Sequence, residues 1–224
     1  MIPLKDKNPS YGFPVVNYLL IGANAAVFFY ELSLGHGLDT FFIKYGLVPS
    51  RYFEMVAHHS DLLTRYVPFF TSMFIHGGWL HIIGNMWFLF IFGDNVEDKL
   101  GHRNYLVFYL LSGLAAGFLQ TYLSAGSSIP TIGASGAISG VLGAYLVMFP
   151  RARIVTLIPI FIIFDIIDVS ALLFIGFWFM MQFFSGVESV GHGMSGGIAW
   201  WAHVGGFVAG ILMVPLFKPR RYAI

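Results

Sequence analysis

Cysteine is absent from the 224 residues, which removes disulfides, thiolate metal sites and a cysteine nucleophile together. Charge is scarce as well. Lys, Arg, Asp and Glu make up 10% of the chain, where soluble domains carry roughly 25%. With 57% hydrophobic residues, the chain is too poor in polar groups to cover a water-facing surface and is expected to cross a lipid bilayer several times. The net charge of +1 arises from scattered residues, so no basic face for nucleic acid is expected. No Ser- and Arg-rich transit segment precedes the first apolar run. That run lacks a small-residue cleavage site and carries Asn17 and Asn24, so it reads as a retained span rather than a signal peptide.

What the chain has in abundance is apolar runs of bilayer length, ~20 residues. Six spans are expected at about 14–33, 79–94, 104–123, 135–149, 168–185 and 199–216, the second and fourth being short. The stretch 154–164 is also apolar, but it contains Pro159 and is followed by Asp165 and Asp168. It is expected to be an interfacial or re-entrant approach to the fifth span. The predicted fold class is an all-α membrane protein, a six-helix bundle forming one domain over 1–224.

Basic residues orient the bundle. Lys5 and Lys7, Lys99 and Arg103, Arg151 and Arg153, and Lys218, Arg220 and Arg221 all fall on one side, whereas the connections 121–134 and 186–198 contain neither Lys nor Arg. Only the long first loop, with Lys44, Arg51 and Arg65, breaks the bias, and long segments weigh less. Both termini are therefore expected in the cytoplasm, with the protein in the cell membrane. The long first loop, about 35–78, interleaves Phe41, Phe42, Tyr45, Tyr52, Phe53, Phe69 and Phe70 with scattered charges, which suits short amphipathic elements in the bilayer interface.

Polar residues inside spans are costly and mark function. Counting from the nearest cytoplasmic charge at about 1.5 Å per residue, Ser135 lies about 24 Å up from Arg151, His203 about 22 Å up from Lys218, and His81 about 24 Å up from Glu97. Asn85 shares a helix face with His81. Three spans thus bring a serine and two histidines to one level. Gly136 and Gly140 below Ser135, and Gly206 and Gly210 below His203, have the G-x-x-x-G spacing that lets helix backbones approach closely. Contact between those helices would bring hydroxyl and imidazole within reach.

A serine becomes a nucleophile when a base removes its proton, and a neutral imidazole can do so and then return it to a leaving amine. The Ser135 amide, at a helix start, and the His81 and Asn85 side chains are candidate donors to an oxyanion. No carboxylate lies at this depth, so a Ser–His dyad is expected. Blander readings exist: Ser135 as a helix N-cap in a glycine turn, and His76 or His81 as structural hydrogen-bonders. The segment Gly133-Ala134-Ser135-Gly136 fails the G-x-S-x-G pattern at Ala137. A metal site is not expected, for lack of H-E-x-x-H or of a carboxylate beside His76, His81 or His203. No cofactor is expected either. His36, His58, His59, His102 and His192 read as solvated loop residues.

His76-Gly77-Gly78-Trp79-Leu80-His81 with Asn85, the run from Glu97 to Gly101, Gly133-Ala134-Ser135-Gly136, and Ala202-His203-Val204-Gly205-Gly206 with Gly210 together resemble the rhomboid intramembrane serine proteases. The resemblance implies a six-span rhomboid-like bundle with a water-accessible cavity, Ser135 as nucleophile, His203 as general base, and His81, Asn85 and the Ser135 amide as oxyanion hole. It implies substrates that are membrane-spanning proteins, cut near the outer end of a helix, and a mobile cap at 186–198. It is to the minimal six-span form typical of prokaryotes. Some family members stack an aromatic on the catalytic histidine one turn after the nucleophile. Here that position is Ser139, which leaves the orientation of His203 to other residues, with Trp200 and Trp201 as candidates. Two other classes are weighed against the protease: a catalytically inactive rhomboid-like protein that binds membrane proteins in quality control, and a small transporter. Retention of both Ser135 and His203 speaks against the first, and the absence of paired carboxylates or an inverted repeat against the second.

Overall fold

The structure is a computed structural model that describes residues 1–160, 163–191 and 198–217. Six longer helices form the bundle: α1 (Val15–Ser33), α5 (Trp79–Leu100), α6 (His102–Leu123), α7 (Ser135–Met148), α8 (Ala171–Gly191) and α9 (Trp200–Met213). Short helices α2 (Leu38–Tyr45), α3 (Pro49–Ala57) and α4 (Leu62–Thr71) fill the first loop. Among the described residues four helices are long and apolar enough to cross a membrane, or five if the bent pair Leu62–Phe74 and Trp79–Leu100 is one span. Ser135–Met148 is apolar but shorter. The protein is a multi-pass membrane protein.

Helix α7 is the axis of the bundle. Every residue from Gly136 to Tyr145 is buried, walled by α5, α6 and α9. Small residues make this possible. A Cβ on Gly206 would run into the Gly136 carbonyl, and one on Gly210 into the Gly140 carbonyl. On the α6 side, Ala116 and Ser112 sit where Cβ atoms on Gly136 and Gly140 would have to go. The backbones meet where lipid offers no hydrophobic drive, so close van der Waals contact takes its place.

The polar residues of α1 are structural. Asn17 accepts from the Tyr105 hydroxyl at 2.8 Å and donates to the Leu89 carbonyl at 3.0 Å. The Glu97 carboxylate of α5 accepts from the amides of Val16 and Asn17 at 2.9 and 2.7 Å, satisfying donors that a helix N-terminus leaves free. His102, expected in solvent, instead pairs through Nδ1 with this same Glu97, although its ring stays half exposed.

The first loop does form short helices, but one side of them packs on the bundle. Leu47, Tyr52 and Phe69 make a small second core, and the Phe69 ring lies 4.4 Å from that of Phe118 on α6. Asp61 caps α4 by accepting from the Thr64 amide at 2.9 Å.

The all-helical expectation needs a correction at one end. Strands β1 (Ile2–Asp6), β2 (Arg153–Ile160) and β3 (Ile163–Ser170) form an antiparallel sheet in the order β1-β2-β3. Of the stretch 154–164, expected as an interfacial or re-entrant segment, residues 154–160 therefore lie in β2 and 163–164 in β3, which pair antiparallel. Its density of Ile, Val and Thr favours extended backbone, and an apolar run of that length does not by itself distinguish strand from helix. Helix α8, where the fifth span was expected from about 168, accordingly starts at Ala171. The sheet is tied to the bundle by Trp87 Nε1 donating to the Pro3 carbonyl at 2.7 Å and the Tyr145 hydroxyl donating to Asp6 at 2.7 Å. Asp168 pairs with Lys7 at 2.6 Å on the exposed side. Burial raises the Asp6 carboxyl above its ordinary value, an effect the Tyr145 hydrogen bond only partly offsets.

Candidate active site

Ser135 opens α7 at its first helical position; Ala134, in helical conformation, is the N-cap, and no side chain caps the helix. The N-cap reading of Ser135 is thus replaced by another. The strand of chain leading to it is braced by the first loop. Leu47 and Thr131 exchange backbone hydrogen bonds at 3.0 and 2.8 Å, and the Gly133 amide donates to the Ser72 carbonyl at 2.9 Å. Gly133 has φ +120°, a conformation open to glycine and strained for other residues. Ser139 turns its hydroxyl onto the Ser135 carbonyl at 2.6 Å.

His203 sits in the first turn of α9, where Gln120 of α6 accepts from the neighbouring Ala202 amide at 3.1 Å. Its Nε2 lies 2.8 Å from Ser135 Oγ, and its Nδ1 lies 2.7 Å from Gln182 Oε1 on α8. The Trp178 ring lies 6.0 Å from the imidazole, tilted by 37°. Trp200 meets it edge-on at 6.3 Å. Trp201 instead packs near Phe183.

His81 and Asn85 face the same space from α5. The Gly77 amide donates to His81 Nδ1 at 3.4 Å, which leaves the hydrogen on Nε2. A Cβ on Gly133 would come within 2.6 Å of that Nε2 and 3.5 Å of Asn85 Nδ2, so the glycine keeps open the approach to both groups. Asn85 Nδ2 is buried without a hydrogen-bond partner. An orphaned buried donor is expensive and calls for an acceptor. His81, Asn85, Ser135 and His203 all line one cavity of about 450 Å³, walled on its apolar side by Phe88 and Trp178.

The expected residues therefore come together: hydroxyl and imidazole in hydrogen-bond contact, with two further donors across the cavity. His76 does not line it. It is buried beside His81, ring centroids 5.1 Å apart, and its amide donates to the buried Glu31 carboxylate at 3.1 Å. Among the described residues no group of three or more His, Asp or Glu side chains could hold a metal ion. Of the segment 186–198, expected as a mobile cap, residues 186–191 belong to α8; residues 192–197, His192 included, lie outside the described residues.

Sequence reasoning missed Gln182 and Trp178. A signal existed for the first: Gln182 is a lone amide in the apolar run of α8, and a polar group in a span is costly unless it has a partner.

A family model for the Rhomboid domain matches residues 63–220. Rhomboid protein 1, mitochondrial, of Saccharomyces cerevisiae is 30% identical over 142 residues, 61% of this chain and 37% of the relative. Presenilin-associated rhomboid-like protein A, mitochondrial, of Danio rerio is 32% identical over 100 residues, 43% of this chain and 26% of the relative. Rhomboid-like protein 11, chloroplastic, of Arabidopsis thaliana is 30% identical over 118 residues, 53% of this chain and 40% of the relative. The chain thus spans two-fifths or less of the length of these curated relatives. The matched segment holds Ser135, His203, His81 and Asn85, and with it the whole cavity: the chain belongs to the rhomboid family.

Proposed function

We propose that the protein is a serine endopeptidase that cleaves transmembrane segments of membrane proteins near the outer face of the cell membrane. The observation that carries this reading is the 2.8 Å contact of His203 Nε2 with Ser135 Oγ at the edge of a cavity that also holds an unpartnered donor, Asn85 Nδ2. Ser135 Oγ attacks the scissile carbonyl carbon while His203 Nε2 takes its proton. The carbonyl oxygen becomes an oxyanion. Asn85 Nδ2, His81 Nε2 and the Ser135 amide donate to it, the last being one of the helix-start amides without a partner inside the helix. As the C–N bond breaks, His203 returns the proton to the leaving amine. Water then hydrolyses the acyl-Ser135 ester with His203 again as base.

The substrate class follows from the setting. The catalytic groups lie within an apolar bundle, so a peptide must reach them from the bilayer. Its helix must unwind first, because a helical carbonyl is already hydrogen-bonded and shielded. In this reading α5 and α7 are spans despite α5's charged end and α7's short length, making six in all over a single domain, with both termini in the cytoplasm.

Purified protein mixed with a single-span substrate in detergent tests the proposal, alongside Ser135→Ala and His203→Ala. Cleavage by the parent and by neither variant is expected. Parent-like cutting by Ser135→Ala would overturn the mechanism. A folded parent that binds the substrate without cutting it would favour an inactive, membrane-protein-binding role.

A further inference from the structure

A Ser–His pair works only with its proton in the right place. Nε2 must be bare to accept from Ser135, so the single hydrogen of neutral His203 must sit on Nδ1. In free imidazole nothing enforces this. Here Gln182 Oε1 lies 2.7 Å from Nδ1, and Gln182 is buried, 7% exposed.

The surroundings hold that contact in register. Trp178 and Gln182, four residues apart, share one face of α8, and both touch the imidazole. One turn further along each helix, Phe179 of α8 stacks on Phe207 of α9 at 4.4 Å and 20°. Phe207 is four residues after His203, and Phe179 three before Gln182, so the stacked rings set the two helices side by side next to the hydrogen bond.

Resting on the protease reading above, we infer that Gln182 is the positioning residue of the site: its amide oxygen accepts from His203 Nδ1–H, fixes the tautomer with a bare Nε2 and aims that nitrogen at Ser135. An amide does here what a carboxylate does in water-facing Ser–His–Asp sites. Among apolar helices the charge of a carboxylate is costly unless the imidazole beside it offsets it, whereas the amide is neutral. The orientation of the amide matters. Turned over, it would point N–H at Nδ1 and impose the opposite tautomer, whose Nε2–H cannot receive the Ser135 proton.

The test compares Gln182→Met, which keeps size and loses the acceptor, with Gln182→Glu, which keeps an acceptor and cannot donate when ionised. For Gln182→Met, kcat should fall roughly 10- to 100-fold, the size of loss seen when the hydrogen-bond partner of a metal-ligating histidine is removed. KM should stay near the parent's, because the amide makes no substrate contact. Phosphonylation of Ser135 by a fluorophosphonate, with fluoride leaving, should slow in parallel. Gln182→Glu should recover most of the lost kcat. Parent-like kcat in Gln182→Met, or equal loss in both variants, would overturn the role of Gln182. His203→Ala, run beside them, separates the two ideas: if it cuts as the parent does, the protease mechanism itself fails. Should Gln182→Met not fold, the ¹⁵N imidazole shifts of His203 in the parent decide. A hydrogen on Nδ1 sustains the inference and a hydrogen on Nε2 overturns it.

Discussion

The helices that carry Ser135 and His203 meet each other quite differently from the way α8 meets them. Between α7 and α9 the contact is backbone on backbone, with Gly206 against Gly136 and Gly210 against Gly140. Helix α8 joins through large rings, Phe179 on Phe207 and Trp178 beside His203. Its far side carries Leu172, Leu173, Phe177 and Phe184, each more than half exposed. A glycine seam has no side chain to move and fixes one separation. A wall of aromatic rings can slide and repack. The Ser135–His203 distance belongs to the rigid seam, and the tautomer of His203 belongs to the adjustable wall.

Substitution at the seam should have the largest effect. Gly206→Leu puts a side chain into the Gly136 carbonyl; overpacking typically costs about 1–3 kcal/mol, and here it must also part the two helices that carry the site. Cleavage should vanish and the thermal midpoint in detergent should drop. A variant that melts and cuts like the parent would show that the α7–α9 contact does not need glycine at 206.

Next in size is the donor that faces the cavity from neither region. Asn85→Ala should slow cleavage by roughly 10²–10³, as removal of an oxyanion donor does elsewhere. It should leave thermal stability equal or higher, because a buried donor without a partner is deleted. An unchanged rate would remove Asn85 from the oxyanion hole.

At the wall the effect should be smaller. Phe179→Leu removes a stacked pair worth about 0.5–1.5 kcal/mol, so the midpoint should move by a few degrees. The catalytic rate should fall less than in Gln182→Met. A drop as large as that of Gly206→Leu would show α8 to be as rigid as the seam.

The smallest effect lies at the sheet end, remote from the site. The Asp6 carboxyl is raised by burial, so its contribution to stability is complete below the ordinary value of 3.8 and is lost as pH rises through the raised one. Asp6→Asn should therefore flatten the pH dependence of unfolding over that window and leave cleavage unchanged. An unaltered slope would contradict the burial effect.

Much of this could be read from residue order. That Ser135, His203 and His81 would meet could be expected from a constant helical rise, and the small residues at 136, 140, 206 and 210 announced a close helix pair. Residues 154–164 could not be read in the same way. Strand pairing there depends on β1, some 150 residues away in sequence, where Ile2 pairs with Leu157 and Asp6 with Ile154. Glu97 looked like part of a motif, and its work, capping α1 through Val16 and Asn17, joins elements that local pattern cannot relate.

Residue order was enough to tell that the chain lives in lipid, which residues share a level and which helix faces can touch, because apolar length and periodicity are local properties of an α-helix. Which side chain would stand behind His203 was decided only when α8 folded against α9. A hydrogen bond between Gln182 and His203 depends on the rotation and depth of two helices relative to each other, and those are set by packing at Phe179 and Phe207, not by anything within either segment.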